Sequence, residues 1–194
     1  MSRFLLASAS PQREKLLKEI GLKFSVVPSS VDESICKEAD PVNRSVSLAK
    51  MKAQDVFDKN PDACVLGADT LVVSSDGTLL EKPANESEAR SMLRMHSGNT
   101  SLVHSSLCLL LPSSKVLEIT NSSSVTFSDL GEETIDWWIK TGEWENRSGA
   151  FQIEGKGQIM IERIEGNFTG VVGLPIFEFG KILNDAGLTI ESFI

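Results

Sequence analysis

Apolar residues in this chain come in short runs divided by turn signals, and their spacing shifts between that of strands and that of helices. Phe4-Leu5-Leu6-Ala7 reads as a buried strand that runs into Ser8-Ala9-Ser10-Pro11-Gln12-Arg13. Ser10 suits a helix N-cap, and Pro11 suits the first helical position, where a missing N–H costs nothing. Leu16, Leu17 and Ile20 then supply one apolar helical face, and Gly21 ends it. A short strand over 24–27 stops at Pro28. Val46, Leu48, Ala49, Ala53, Val56 and Phe57 predict a helix over 44–57. Residues 64–68 form a buried strand, and 71–73 and 79–80 flank Asp76-Gly77 as a hairpin.

Later signals are as definite. Residues 86–95 and 132–140 are helices, the second closed by Gly142. Residues 102–111 and 116–127 are two longer strands, expected to pair antiparallel. Residues 159–164 and 168–172 are expected as a further strand pair around Glu165-Gly166-Asn167, and 175–186 as the last helix. Long antiparallel strands mixed with helices point to an α/β chain of mixed α+β type, not a regular parallel series. Chain order leaves open which strands adjoin.

At 194 residues the chain fits one domain over 1–194, or two lobes sharing a core. A net charge of −8 argues against a broad nucleic-acid surface, so cations for any anionic ligand must be gathered locally. The N-terminus lacks the pattern of a secretory signal, and the run Leu107-Cys108-Leu109-Leu110-Leu111 is too short to span a bilayer. Cys36, Cys64 and Cys108 have no C-x-x-C spacing, and only two histidines are present. Three reduced thiols in a cytosolic protein are the plain expectation.

Charge gathers beside predicted element ends: Ser8, Ser10 and Arg13; Asp32-Glu33; Lys50 and Lys52; Asp69-Thr70; Glu81-Lys82-Pro83; and Glu154 in a glycine-rich segment. Each has a bland alternative. Ser10 can be only a cap, Asp69 only a turn residue after a strand, and Glu81-Lys82 only an edge-strand guard. Lys50 and Lys52 cannot share a helical face. Together they make a different case. Arg13, one lysine from 50 or 52, and Lys82, beside the helix start, would together offset much of the charge of a nucleoside triphosphate, about −4 near neutral pH. Glu33, Asp69 and Glu154 supply hard oxygen ligands for Mg²⁺ or Mn²⁺. No G-x-x-x-x-G-K-[ST] motif occurs.

Ser8-Ala9-Ser10-Pro11-Gln12-Arg13, Val31-Asp32-Glu33, Leu48-Ala49 with Lys52-Ala53, Gly67-Ala68-Asp69-Thr70, Glu81-Lys82-Pro83, Ser97-Gly98 and Val172-Gly173-Leu174-Pro175 fall in one order and spacing. This resembles the Maf family over about residues 4–183. The resemblance implies a fold like that of inosine-triphosphate pyrophosphatases, a mixed, partly antiparallel sheet flanked by helices with a cleft between two lobes. It implies a cytoplasmic, dimeric enzyme of nucleotide housekeeping that cuts a nucleoside triphosphate between its α and β phosphates with a divalent metal. Ser8, Ser10, Arg13, Gln12, Thr70 and Glu154 would bind substrate, and Lys52 and Lys82 would add positive charge. Glu33 and Asp69 would bind metal, Asp69 also taking the proton of the attacking water. Partners beyond the substrate, such as nucleic acid or membrane, are not expected.

Two departures bear on substrate. Gln12 stands where the family's commonest motif has arginine, and Asn99-Thr100-Ser101 lacks a histidine many members carry. Thr70 resembles the subgroup preferring dTTP and UTP, whereas Asn99 and Glu154 resemble the subgroup acting on 7-methyl-GTP. The balance leans to dTTP/UTP. A rival from another class is a nucleotide-sensing or partner-binding module without turnover, with Trp137-Trp138 as a display surface instead of core packing.

Overall fold

Central to the computed structural model, which describes residues 3–193, is a mixed sheet. Its strands are β1 (Phe4–Leu6), β2 (Ser25–Val26), β3 (Cys64–Val73), β4 (Leu79–Leu80), β5 (Thr100–Leu110), β6 (Val116–Phe127) and β7 (Ile161–Glu165). They lie in the order β2-β1-β3-β5-β6-β7, with β4 also on β3. β1 is parallel to β2 and β3, while β3 to β7 pair antiparallel. The expected β5–β6 pair runs from Thr100 opposite Thr126 to Leu110 opposite Val116.

Among the described residues six α-helices cover it: α1 (Pro11–Glu19), α2 (Pro41–Phe57), α3 (Glu86–His96), α4 (Glu132–Thr141), α5 (Phe168–Val172) and α6 (Ile176–Asp185). Alternation along β3 decides what each face meets. Leu66 and Ala68 join Leu16, Leu17, Phe179 and Ile182 beneath α1 and α6. Val65 turns the other way, to Ala49, Ala53 and Val56 of α2. Val72, Val103 and Phe127 are covered by Leu93 of α3 and by Ile135 and Trp138 of α4. At Gly67 the contact with α2 is so close that a Cβ would stand 2.1 Å from the Ala49 carbonyl oxygen and 2.8 Å from Ala53 Cβ. Glycine is what lets α2 lie on the strand.

Four expectations change. β3 carries Asp69 and Thr70 in its interior, not beyond its end. Polar groups are tolerated there because partners reach them from both faces. Residues 168–172 are the short helix α5, not a strand, because the Asn167 side chain accepts the Gly170 N–H at 3.0 Å. That local cap outweighs the β preference of Thr169, Val171 and Val172. β7 begins at Ile161, after a 3₁₀ turn over Gly155–Met160. α2 begins at Pro41, because Asp40 caps it by accepting the Asn43 N–H at 2.8 Å. Trp138 is core and donates to the Ala150 carbonyl at 2.8 Å, while Trp137 is 39% exposed. Cys36, Cys64 and Cys108 are free and buried, and burial pushes the Cys108 thiol up to about 12. Among the described residues no helix is long and apolar enough to cross a membrane.

Candidate active site

β1 leaves the edge of β3 at Leu66, and β4 joins the same edge at Val72. Between them residues 67–71 have no strand neighbour on that side among the described residues, while β5 covers the other, Asp69 lying opposite Ser106 and Thr70 opposite Ser105. The gap is a cleft in the sheet. Asp69 faces α2 across it, and Thr70 faces α1.

On the α2 side, Lys52 Nζ lies 2.6 Å from Asp69 Oδ1 and 3.0 Å from Glu33 Oε1. The Lys52 and Asp69 side chains are 13% and 7% exposed, and Glu33 is 52% exposed. Lys52 follows Leu48 and Ala49 on the stripe of α2 that meets the sheet. Lys50 instead pairs with Glu118 at 3.1 Å, so the structure chooses between the two lysines. Glu33 opens a 3₁₀ turn, Glu33–Ile35, capped by Asp32 accepting the Ser34 N–H at 3.0 Å. Asp69 Oδ2 is buried without a hydrogen-bond partner. A buried carboxylate oxygen in that state is poised to accept a proton or a cation.

On the α1 side, Arg13 donates from Nε to the Gly173 carbonyl at 2.8 Å, from Nη1 to Ser8 Oγ at 3.2 Å, and from Nη2 to Thr70 Oγ1 at 3.2 Å. Those bonds use three of the five N–H groups of a guanidinium and leave two for an anion. Burial lowers the Arg13 pKa while Asp69 and Glu33 raise it; an arginine stays charged under such opposition. Ser10 caps α1 as expected, accepting the Arg13 N–H at 3.5 Å, and its own N–H reaches Ser8 Oγ at 3.2 Å. Gln12 Oε1 accepts from Ser10 Oγ at 3.3 Å. Pro11 has no N–H and Ser10 Oγ takes that of Arg13, so the Gln12 amide, with the helix dipole, is what this first turn offers a phosphate.

The remaining candidates lie further out. Lys82 stands two residues past β4, exposed, with no side-chain hydrogen bond or ion pair among the described residues. Glu154 is not joined to the Asp69 cluster. Its Oε1 pairs with Lys15 Nζ at 3.0 Å in an open groove of 570 Å³ lined also by Gln12, Glu143, Arg147 and Gln152. Sequence reasoning missed Arg44, Arg147 and the Gly173 carbonyl. Arg44 lies two turns before Lys52, holds the Cys36 carbonyl at 3.1 Å and Glu81 at 3.3 Å, and ties the Glu33 turn to the Lys82 segment. That spacing was visible; for Arg147, whose Nε is buried and unpartnered, no pattern was. Asn99 donates to the Met95 and Ser97 carbonyls, so it closes α3.

Among the described residues no three His, Cys, Asp or Glu side chains converge as a metal cluster. Asp69 with its free oxygen, and Glu33 beside it, make a two-carboxylate donor set. That suits a hard cation held jointly by protein and phosphate oxygens.

A family model for Maf-like proteins matches residues 3–186. A dTTP/UTP pyrophosphatase of Treponema denticola is 40% identical, over 95% of this chain and 97% of its own. Another of that description, from Methanosarcina barkeri, is 41% identical over 98% and 97% of the two chains. Among solved structures, a HAM1 protein from Coxiella burnetii aligns with a TM-score of 0.44 at 16% identity, over 66% of this chain and 73% of its own; that likeness is too slight to add weight. On the match of model and relatives across nearly its whole length, the chain belongs to the family of Maf-like proteins.

Proposed function

We propose that the chain is a nucleoside triphosphate pyrophosphatase, a hydrolase that cuts between the α and β phosphates and releases pyrophosphate and a nucleoside monophosphate. The observation that carries this is the meeting, across one gap in the sheet, of the Asp69–Lys52–Glu33 cluster with Arg13 and the start of α1. Ser8, Ser10, the Gln12 amide and the two spare Arg13 N–H groups hold phosphate oxygens. Lys52 fixes Asp69 Oδ1, which leaves Oδ2 to take the proton of a water as its oxygen bonds to the α phosphorus. The bond from that phosphorus to the pyrophosphate oxygen breaks, and Arg13 balances the charge that leaves, while Lys82 adds positive charge where the substrate's phosphates bind. Glu33 orients the water. Mg²⁺ or Mn²⁺, held by Glu33 and Asp69, would supply further neutralisation of the phosphates.

Preference for dTTP and UTP is supported by the relatives and by Thr70, whose hydroxyl sits against Arg13 in the cleft. Gln12 and Glu154 line the groove beside α1, which this reading gives to the nucleoside. One observation favours 7-methyl-GTP as a second reading: Glu154 puts a carboxylate in that groove, which suits a cationic base. The same proposal makes the chain a cytoplasmic homodimer of one-domain subunits with no nucleic-acid or membrane partner. Incubating it with dTTP, UTP, CTP and 7-methyl-GTP plus Mg²⁺ or Mn²⁺ should release pyrophosphate, fastest from dTTP or UTP. Orthophosphate alone, or no product, would refute the assignment.

A further inference from the structure

Gly149 joins two segments that flank the cleft. Its N–H donates at 3.1 Å to the carbonyl of Glu81, the residue before Lys82. Its carbonyl accepts from His96 Nε2 at 2.9 Å. Arg147 and Gln152, in the groove wall, lie two residues before it and three after. The backbone here is not relaxed: Asn146, Gly149 and Ala150 have φ of 59°, 71° and 60°, a region that residues other than glycine seldom occupy. Surrounding structure must hold it there. Trp138 Nε1 does so at Ala150, and His96 does so at Gly149. A Cβ on Gly149 would stand 3.0 Å from His96 Nε2, so the imidazole is fitted directly to this peptide.

His96 is itself locked. It is fully buried, stacked on Phe127 with ring centres 4.4 Å apart, and its Nδ1 lies 2.7 Å from Ser101 Oγ. A carbonyl only accepts, so Nε2 carries the hydrogen and Nδ1 takes the Ser101 hydroxyl hydrogen. Rings, tautomer and both partners therefore specify one position for the Gly149 peptide.

We propose that His96 is a positioning residue for the substrate site: through the Gly149 peptide it sets the Lys82 segment and the groove wall at 147–154 in register with each other. This rests on the function proposed above, in which both segments touch the nucleotide. It governs binding and not the chemical step, because Asp69 and Lys52 are held by β3 and α2 with no bond to His96.

The test compares wild type, His96→Leu, His96→Gln and Ser101→Ala by steady-state pyrophosphate release from dTTP with Mg²⁺, at a temperature where near-ultraviolet dichroism finds each folded. His96→Leu leaves a buried carbonyl without its donor and should raise KM about tenfold with kcat within about twofold. His96→Gln, whose amide reaches the same carbonyl, should recover most of the loss. Ser101→Ala, which spares the core packing, should raise KM several-fold. Wild-type KM in a folded His96→Leu, a loss confined to kcat, or a Gln variant no better than Leu would overturn the proposal. Should His96→Leu fail to fold, Ser101→Ala decides: raised KM with kcat kept supports it, and wild-type constants refute it. Should wild type release no pyrophosphate, the assigned function falls, and the same proteins are titrated with α,β-imido-dUTP; equal affinity for His96→Leu and wild type then overturns the positioning role.

Discussion

Asp69 shows how much a single residue's neighbours decide. Its Oδ1 is tied to Lys52 and its Oδ2 is unpartnered, so the two oxygens are not equivalent. Asp69→Asn keeps the shape and removes the proposed proton acceptor. Turnover should fall about 10²–10⁴-fold with KM little changed, measured by pyrophosphate release. The histidine missing at Ser101 has a counterpart in His96, which reaches the Ser101 hydroxyl from the end of α3. The sequence displayed both residues but not their contact, because five positions across a helix end carry no fixed spacing. Burial holds the His96 imidazole down at about 4, below its ordinary value near 6.5. The folded state thus prefers the neutral ring, and its contribution is complete above about pH 6.5 and lost as pH falls towards 4. That contribution is about 3 kcal/mol. Burial lowers His104 in the same direction, so stability against urea should fall as pH drops through this window, less steeply in His96→Gln.

Elements were legible where period and caps agreed. α1, α3, α4, the β3–β4 hairpin and the long β5–β6 pair all follow from apolar spacing, Ser10 and Gly142. β3 was harder. Its apolar run is broken by Asp69-Thr70, which reads locally as a strand end; only α1 and α2, distant in the chain, explain a polar pair inside a sheet. For α5 the decisive fact was one Asn167 side-chain bond, invisible to periodicity. The β3–α2 contact also yields a test at this scale. Gly67→Ala forces a Cβ onto the Ala49 carbonyl and must lift α2 from the sheet. Unfolding stability should drop by about 1–3 kcal/mol, and kcat should drop too, since Lys52 rides on the displaced helix; chemical denaturation and pyrophosphate assays read both effects.

For the whole molecule, a net charge of −8 coexists with a cleft that gathers Arg13, Lys52 and, nearby, Lys82. Global charge argued against a broad polyanion surface but could not reveal this local collection, which depends on strand order. The cleft draws on β1, α1, α2 and β3, so a nucleotide bound there would brace much of the fold. A non-cleavable dUTP analogue with Mg²⁺, at about one hundred times its Kd, should add about 2.7 kcal/mol. Thermal unfolding should then rise by about 5–10 °C. The bare flank of β3 at 67–71 has one more consequence. Unpaired backbone donors and acceptors in a row invite a strand from another molecule, and charge is the usual deterrent. Asp69, Lys52, Glu33 and Arg13 stand over that row. Were the groups proposed for hydrolysis stripped of charge, that row would lose its deterrent, so a copy whose enzymatic activity had lapsed should still gain solubility from keeping this notch charged.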